Sequence, residues 1–214
     1  MFARYHRQIT TAALEDLFSP RALHTVIQAN VRQDRWLYLL GAHPHHHFDD
    51  SEFEQTYAYL DEQREAVLNA LANRKAARAW QAFGRITHAL QDFYSHTNYL
   101  QLWLETAPPG RGLPDPEQVD PLLPAILHSP RLMSARTDLW REFLGMIPIL
   151  GDRLRPGFPP DIHASMNLDA PERGPLFAHA CTAARKRTRA EFHALAERIR
   201  LQLGNQALRA FQDR

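Results

Sequence analysis

Cysteine occurs once in the 214 residues, at Cys181. That excludes an intrachain disulfide framework and any multi-cysteine zinc site. Glycine is scarce, with nine residues, and alternating runs of Val, Ile, Thr and aromatic residues are nearly missing, so the usual strand signature is absent. No stretch approaches the roughly 20 uninterrupted apolar residues that a bilayer-spanning helix needs. The first residues, Met1-Phe2-Ala3-Arg4-Tyr5-His6-Arg7, hold no apolar h-region and no small-residue cleavage site, and a cytoplasmic protein is expected. Nor is there an excess of one charge. The formal net charge of +1 makes no global field for nucleic acid or an anionic membrane. The single basic run, Arg185-Lys186-Arg187-Thr188-Arg189, has no interleaved aromatics and reads as a solvated helix face rather than a nucleic-acid stripe.

What is present is helical periodicity and histidine. With 44% hydrophobic and 23% charged residues, the chain has the composition of an ordinary globular protein. Its length suffices for one substantial core, and a single domain over 1–214 is expected. The architecture expected is an all-α multi-helix bundle with long Pro-rich loops. A first helix places Ile9, Ala12, Ala13 and Leu17 on one face. A second begins at Ser19-Pro20, with Ser19 as N-cap, and runs towards Leu40 with Leu23, Ile27, Asn30, Asp34 and Leu37 along one side. Asn30 and Asp34 stand out there, because polar groups on an apolar face need partners. A third helix, capped by Asp50 or Ser51, runs to about Asn73. The fourth runs from Lys75 to about Thr106. Further helices are expected from Arg131 to Ile147 and from Glu172 to Arg209, separated by Pro/Gly-rich stretches long enough to be binding loops.

Twelve histidines are many for this length, and three chemistry-bearing residues fall in register on the fourth helix. His88, Asp92 and His96 are four residues apart in turn, within a sector of roughly 80°. The outer two Cα atoms are about 12 Å apart. With metal–ligand bonds of about 2 Å, His88 and His96 can hardly share one ion. Asp92, with two carboxylate oxygens between them, can join or bridge sites at both ends.

A ridge of this kind needs facing ligands, and helical bundles supply them from neighbouring elements. His6 lies just before the first helix, Asp34 on the second, and His47 and Asp49 in the loop Gly41–Asp50. His47, His88, Asp92 and Asp34 together offer two imidazoles and two carboxylates, a set that suits zinc. In the His45-His46-His47 run, His47 is preferred because Phe48 and Asp49 follow it as an apolar anchor and a supporting acceptor. His163 and His179 are the candidate partners for His96. His193 and Glu197, also four apart, read as a surface pair.

The stretch Gly84-x-x-x-His88-Ala89-Leu90-Gln91-Asp92-Phe93-Tyr94-Ser95-His96-Thr97-Asn98 resembles the signature of the Het-C family. That family is similar to the zinc-dependent phospholipase C and single-strand nuclease superfamily. The likeness extends to His6-Arg7-Gln8-Ile9-Thr10, to Asn30 through Asp34, to His47-Phe48-Asp49, and to Ile162-His163 through Asn167-x-Asp169. It implies an all-α bundle of the zinc-dependent phospholipase C type holding up to three zinc ions, other divalent metals not being excluded. His6 and Asp92 would serve one ion; Asp34, His47, His88 and Asp92 a second; His96 and a later histidine or carboxylate a third. Two parts of the superfamily pattern have no match here: an amino-terminal ligand, since His6 follows five residues, and a His-x-x-x-Glu pair soon after the ridge.

The resemblance implies a zinc-dependent hydrolase of phosphoric esters, with a phospholipid head group or another phosphodiester as substrate. Asp34 or Asp49 would act as general base on a metal-bound water. The other reading from the same residues is a non-catalytic, metal-stabilised helical protein that acts through partner binding.

Overall fold

The core is built around one helix that is buried almost throughout its second half. A computed structural model of the chain describes residues 1–34, 43–107, 112–138, 157–159 and 161–214. In it the ridge segment forms α4, Ala76–His96, in which every residue from Ile86 to His96 is buried. A helix buried on all sides must be covered by others. Three do most of this: α2 (Pro20–Val31), α3 (Phe53–Ala72) and the long α8 (Phe177–Leu203). The first helix, α1 (Ala3–Leu14), packs on α8 and α2. Short helices complete the set: α5 (Tyr99–Thr106), α6 (Pro124–Leu127), α7 (His163–Met166) and α9 (Asn205–Gln212). The all-α bundle expected from the periodicity is the fold observed. No helix among the described residues is long and apolar enough to cross a membrane.

The α2–α4 crossing is close because position 84 has no side chain. A Cβ on Gly84 would lie 2.4 Å from the Val26 carbonyl oxygen and 2.7 Å from the Ala29 Cβ. That contact sets Asn30 and Asp34 against the ridge. The apolar interior continues below it, where Phe18, Phe83, Phe192 and Phe211 meet mostly edge to face.

Several expected boundaries move, each for a local reason. Ser19 caps α2 as expected, its Oγ accepting from the Ala22 N–H at 3.1 Å. Asp50 and Ser51 do not cap α3: both have positive φ. The Asp50 carboxylate instead accepts from the Thr137 N–H, and the Ser51 N–H donates to Ser134 Oγ. The fourth helix does not continue to Thr106. It ends at His96, where Thr97 turns extended and its hydroxyl donates to the Phe93 carbonyl. The Ala135 N–H then donates to the His96 carbonyl at 2.8 Å, and the Asn98 N–H to the Met133 carbonyl at 3.0 Å.

Segment 131–136 thus clamps the end of the ridge, and residues 131–138 are not helical. The rest of the helix expected over Arg131–Ile147, with Leu139, Trp140, Phe143 and Leu144, lies outside the described residues, as does Leu37. The expected last helix starts later, at Phe177, and breaks at Gly204, whose φ is +83°.

The Pro-rich middle, where described, is pinned rather than free. Tyr94 donates to the Pro121 carbonyl at 2.6 Å and Tyr99 to the Asp120 carbonyl at 2.7 Å. Within the basic run of α8, Arg185 and Lys186 meet Glu117, and Arg189 meets Asp16. Arg64 and Glu65 of α3 pair instead with Glu191 and Arg198.

Candidate metal centre

One end of the ridge gathers residues from four elements. His6 stands on α1, Asp34 just past α2, His47 after the turn Pro44–His46, and His88 and Asp92 on α4. Donor atoms of His6, Asp34, His88 and Asp92 all lie within 4.8 Å of one another. His6 Nε2 is 3.1 Å from Asp92 Oδ1 and 3.9 Å from Asp34 Oδ2. His88 Nε2 is 3.0 Å from Asp92 Oδ2 and 3.5 Å from Asp34 Oδ1. His47 Nδ1 is 3.0 Å from both Asp92 Oδ2 and His88 Nε2. The His6 and His88 rings stack with centroids 4.3 Å apart.

A buried amide network orients His6. Gln91 Nε2 donates to the hydroxyls of Thr10 at 2.9 Å and Thr188 at 3.1 Å. Its Oε1 therefore accepts, from Asn30 Nδ2 at 3.2 Å and from His6 Nδ1 at 2.7 Å. The His6 proton thus resides on Nδ1, as an imidazole held by an outer acceptor requires. The other nitrogen, Nε2, lies close to two carboxylates and has no hydrogen-bond partner, and neither has Asp34 Oδ2.

Lone pairs facing carboxylate oxygens in a buried place repel unless a cation lies between them. Imidazole nitrogen with carboxylate oxygen is a donor set that zinc accepts, and a tetrahedral ion with bonds of about 2 Å sets its donors about 3.3 Å apart. The observed spacings of 3.0 to 3.9 Å bracket that figure. Burial, outweighing the nearby Asp92 charge, pulls His88 down to about 4, so near neutral pH it is in the ligand form. The residues present fit a divalent ion.

The other end is arranged differently. His96 Nδ1 lies 3.0 Å from the His47 carbonyl, to which it donates, and 3.2 Å from Asp49 Oδ1. Its Nε2 faces Asp169 Oδ1 at 3.2 Å, His163 Nε2 at 3.2 Å and the Met1 amine at 3.3 Å. That amine donates to Asp92 Oδ1 at 2.7 Å and lies 2.9 Å from Asp169 Oδ1. Burial alone would lower both cations. For His96 the Asp49 and Asp92 charges and the Asp169 hydrogen bond reverse this and hold it well above the usual imidazole range. The Met1 amine is likewise raised to about 12, by Asp169 and then Asp92. Asp92 and Asp169, despite burial, are held well below the usual carboxylate range by the amine and the histidines. Asp49, His96 and His163 nonetheless bring donor atoms within 4.8 Å of one another.

The structure therefore brings together His6, Asp34, His47, His88 and Asp92 at one end, and Asp49, His96 and His163 at the other. It does not bring His179 to the ridge. Its Nε2 donates to the Pro114 carbonyl at 2.8 Å and its ring tilts against Trp103. Glu197 pairs with Arg200 rather than with His193. Sequence reasoning missed the Met1 amine and gave Asp169 no role, although the Ile162–Asp169 likeness contains it. Asp169 had a visible signal: a carboxylate set between the apolar Leu168 and Ala170 is charge placed where it needs a partner. The Leu168 N–H, donating to the Ser95 carbonyl at 2.9 Å, fixes it against the ridge.

A family model described as the VWA7 N-terminal domain matches residues 6–118, more than half of the chain. The chain belongs to the VWA7 N-terminal domain family. The von Willebrand factor A domain-containing protein 7 of Rattus norvegicus is 37% identical over 81 residues, which is 38% of this chain and 9% of that relative. No solved structure matches. The family span includes His6, Asp34, His47, Asp49, His88, Asp92 and His96, whereas His163 and Asp169 follow it. These matches correct the resemblance drawn from the ridge motif. The family is VWA7-like, not Het-C-like or phospholipase C-like, and the phosphoric-ester hydrolase reading falls with that resemblance. So do the general-base roles expected for Asp34 and Asp49. A ridge of His, Asp and His at four-residue steps reports ligand geometry, and the same geometry serves unrelated purposes.

Proposed function

We propose that this family member is a metal-binding helical domain, with one divalent ion, zinc foremost, at the His88 end of the ridge. His6, Asp34, His47, His88 and Asp92 would hold it. The single observation that carries this is His6 Nε2, buried, without a hydrogen-bond partner and close to two carboxylates, while its Nδ1 is held by Gln91 Oε1. An ion there would supply the positive charge that the donor set lacks. It would also fasten α1, α2, α4 and the turn before His47 to one point, so that binding stabilises the fold.

A second ion is supported by the convergence of Asp49, His96 and His163. It would have to displace the proton of a raised His96, so this end should load more weakly and better at higher pH.

The test is metal removal and return. Protein stripped with a chelator and titrated with Zn²⁺ at neutral pH should bind at least one equivalent. At a thousandfold excess over Kd it should gain about 4 kcal/mol of stability. No bound equivalent, with no change in thermal midpoint, would defeat the proposal.

A further inference from the structure

The turn that delivers His47 to the ridge also builds a second histidine cluster on its outer side. Residues Pro44–His46 form a single 3₁₀ turn, with Pro44 at its first position and the His46 N–H donating to the His43 carbonyl at 2.9 Å. In a turn of about three residues, positions 43 and 46 fall on one side. Accordingly the His43 and His46 rings stack at 4.8 Å, and His45 meets His46 edge-on at 4.5 Å. Ring nitrogens of all three lie within 4.8 Å of one another, and Glu52 Oε2 is 3.7 Å from His45 Nδ1.

This cluster has a rigid floor. The His46 ring stacks on Tyr59 at 4.1 Å and 27°, and the Tyr59 hydroxyl accepts from Gln33 Nε2 at 2.9 Å. Tyr59 is buried on α3, so the platform belongs to the core rather than to the loop. Above it, His43 is exposed and His45 half-buried, so the cluster is open to solvent on that side.

We infer that His43, His45 and His46 form a separate, solvent-accessible binding site for a late first-row divalent cation, with copper(II) bound most tightly. Neutral imidazole suits copper, nickel and zinc, and among these the affinity order peaks at copper. Three imidazoles from one turn, one of them stacked on a core aromatic, need only small side-chain rotations to converge on an ion. The carboxylate-rich ridge differs in donor type and in access, and the two sites share no residue.

The experiment uses the full chain, preloaded with a single equivalent of Zn²⁺ and desalted, to which one equivalent of Cu²⁺ is added. Electron paramagnetic resonance should show superhyperfine coupling to several imidazole nitrogens, with zinc content unchanged. His43→Ala, His45→Ala and His46→Ala should each weaken copper binding at least about tenfold, the loss that even an outer partner of a metal ligand brings. His43→Ala matters most, because His43 is exposed and its removal leaves the Tyr59 stack intact. His24→Ala and His193→Ala, exposed histidines on α2 and α8, should change nothing. An unchanged copper affinity or spectrum in a folded His43→Ala/His45→Ala variant, or copper entering only with release of zinc, would overturn the assignment.

Discussion

The two ends of the ridge share Asp92 and differ in where their positive charge comes from. At the His88 end His6 and His88 are buried and His88 is kept neutral, beside the carboxylates of Asp34 and Asp92. At the His96 end the cation belongs to the chain itself: a raised His96, set among Asp49, Asp92 and Asp169. Two histidines two turns apart on one helix thus reach opposite ionisation preferences, because burial outweighs the nearby carboxylates at His88, whereas Asp49, Asp92 and Asp169 together outweigh it at His96. His88 is suited to a ligand's role as it stands, whereas His96 first has to give up a proton.

Three changes would break or sharpen this contrast. The largest effect should come from Asp92→Asn, which strikes both ends. Removing one partner of a buried ion pair costs about 3–5 kcal/mol, and the variant should retain no zinc at the His88 end. Denaturant melts with metal analysis would show both. Retained metal with unaltered stability would mean that Asp92 is not the shared carboxylate.

Next is pH dependence of the metal-free protein, where the ends should act with opposite sign. The unfolded His88 binds a proton near 6.5, but the folded one only at about 4. Between those values the unfolded state holds more protons, so stability falls as pH drops, by about 3 kcal/mol for this group. The folded His96 keeps its proton above 6.5. Its contribution is complete below 6.5 and is lost as pH rises through the folded value. Stability measured from pH 4 to 8 should lose its acid-side slope in His88→Gln and its alkaline-side slope in His96→Gln. The same slopes in both variants would remove the distinction.

The smallest effect is expected from Gln91→Ala. It frees His6 Nδ1 from its acceptor and should weaken zinc at the His88 end by about 10–100-fold. Any ion at the His96 end should be untouched. Equal loss at both ends would point to general loosening instead.

Much of this was legible in the chain, and the limits have physical causes. The ridge was readable because 3.6 residues per turn converts four-residue spacing into one face. Asn30 was readable as polar on an apolar stripe; it donates to Thr87 and Gln91 behind His6. The end of α4 at His96 was not readable, since nothing local stops a helix at Thr97. Pairing with residues 131–136, distant in sequence, does that. His179 was misplaced for a similar reason: its helical position suited the ridge, but the described part of the Pro-rich middle offers it the Pro114 carbonyl. Family membership was the least legible, because ligand spacing constrains chemistry more tightly than ancestry.

The most direct test is anomalous scattering at the zinc edge from crystals grown with Zn²⁺ and without chelator near neutral pH. A peak enclosed by His6, Asp34, His88 and Asp92, stronger than any beside His96 and His163, is the predicted result. An ordered structure with no anomalous density among those four residues would contradict it.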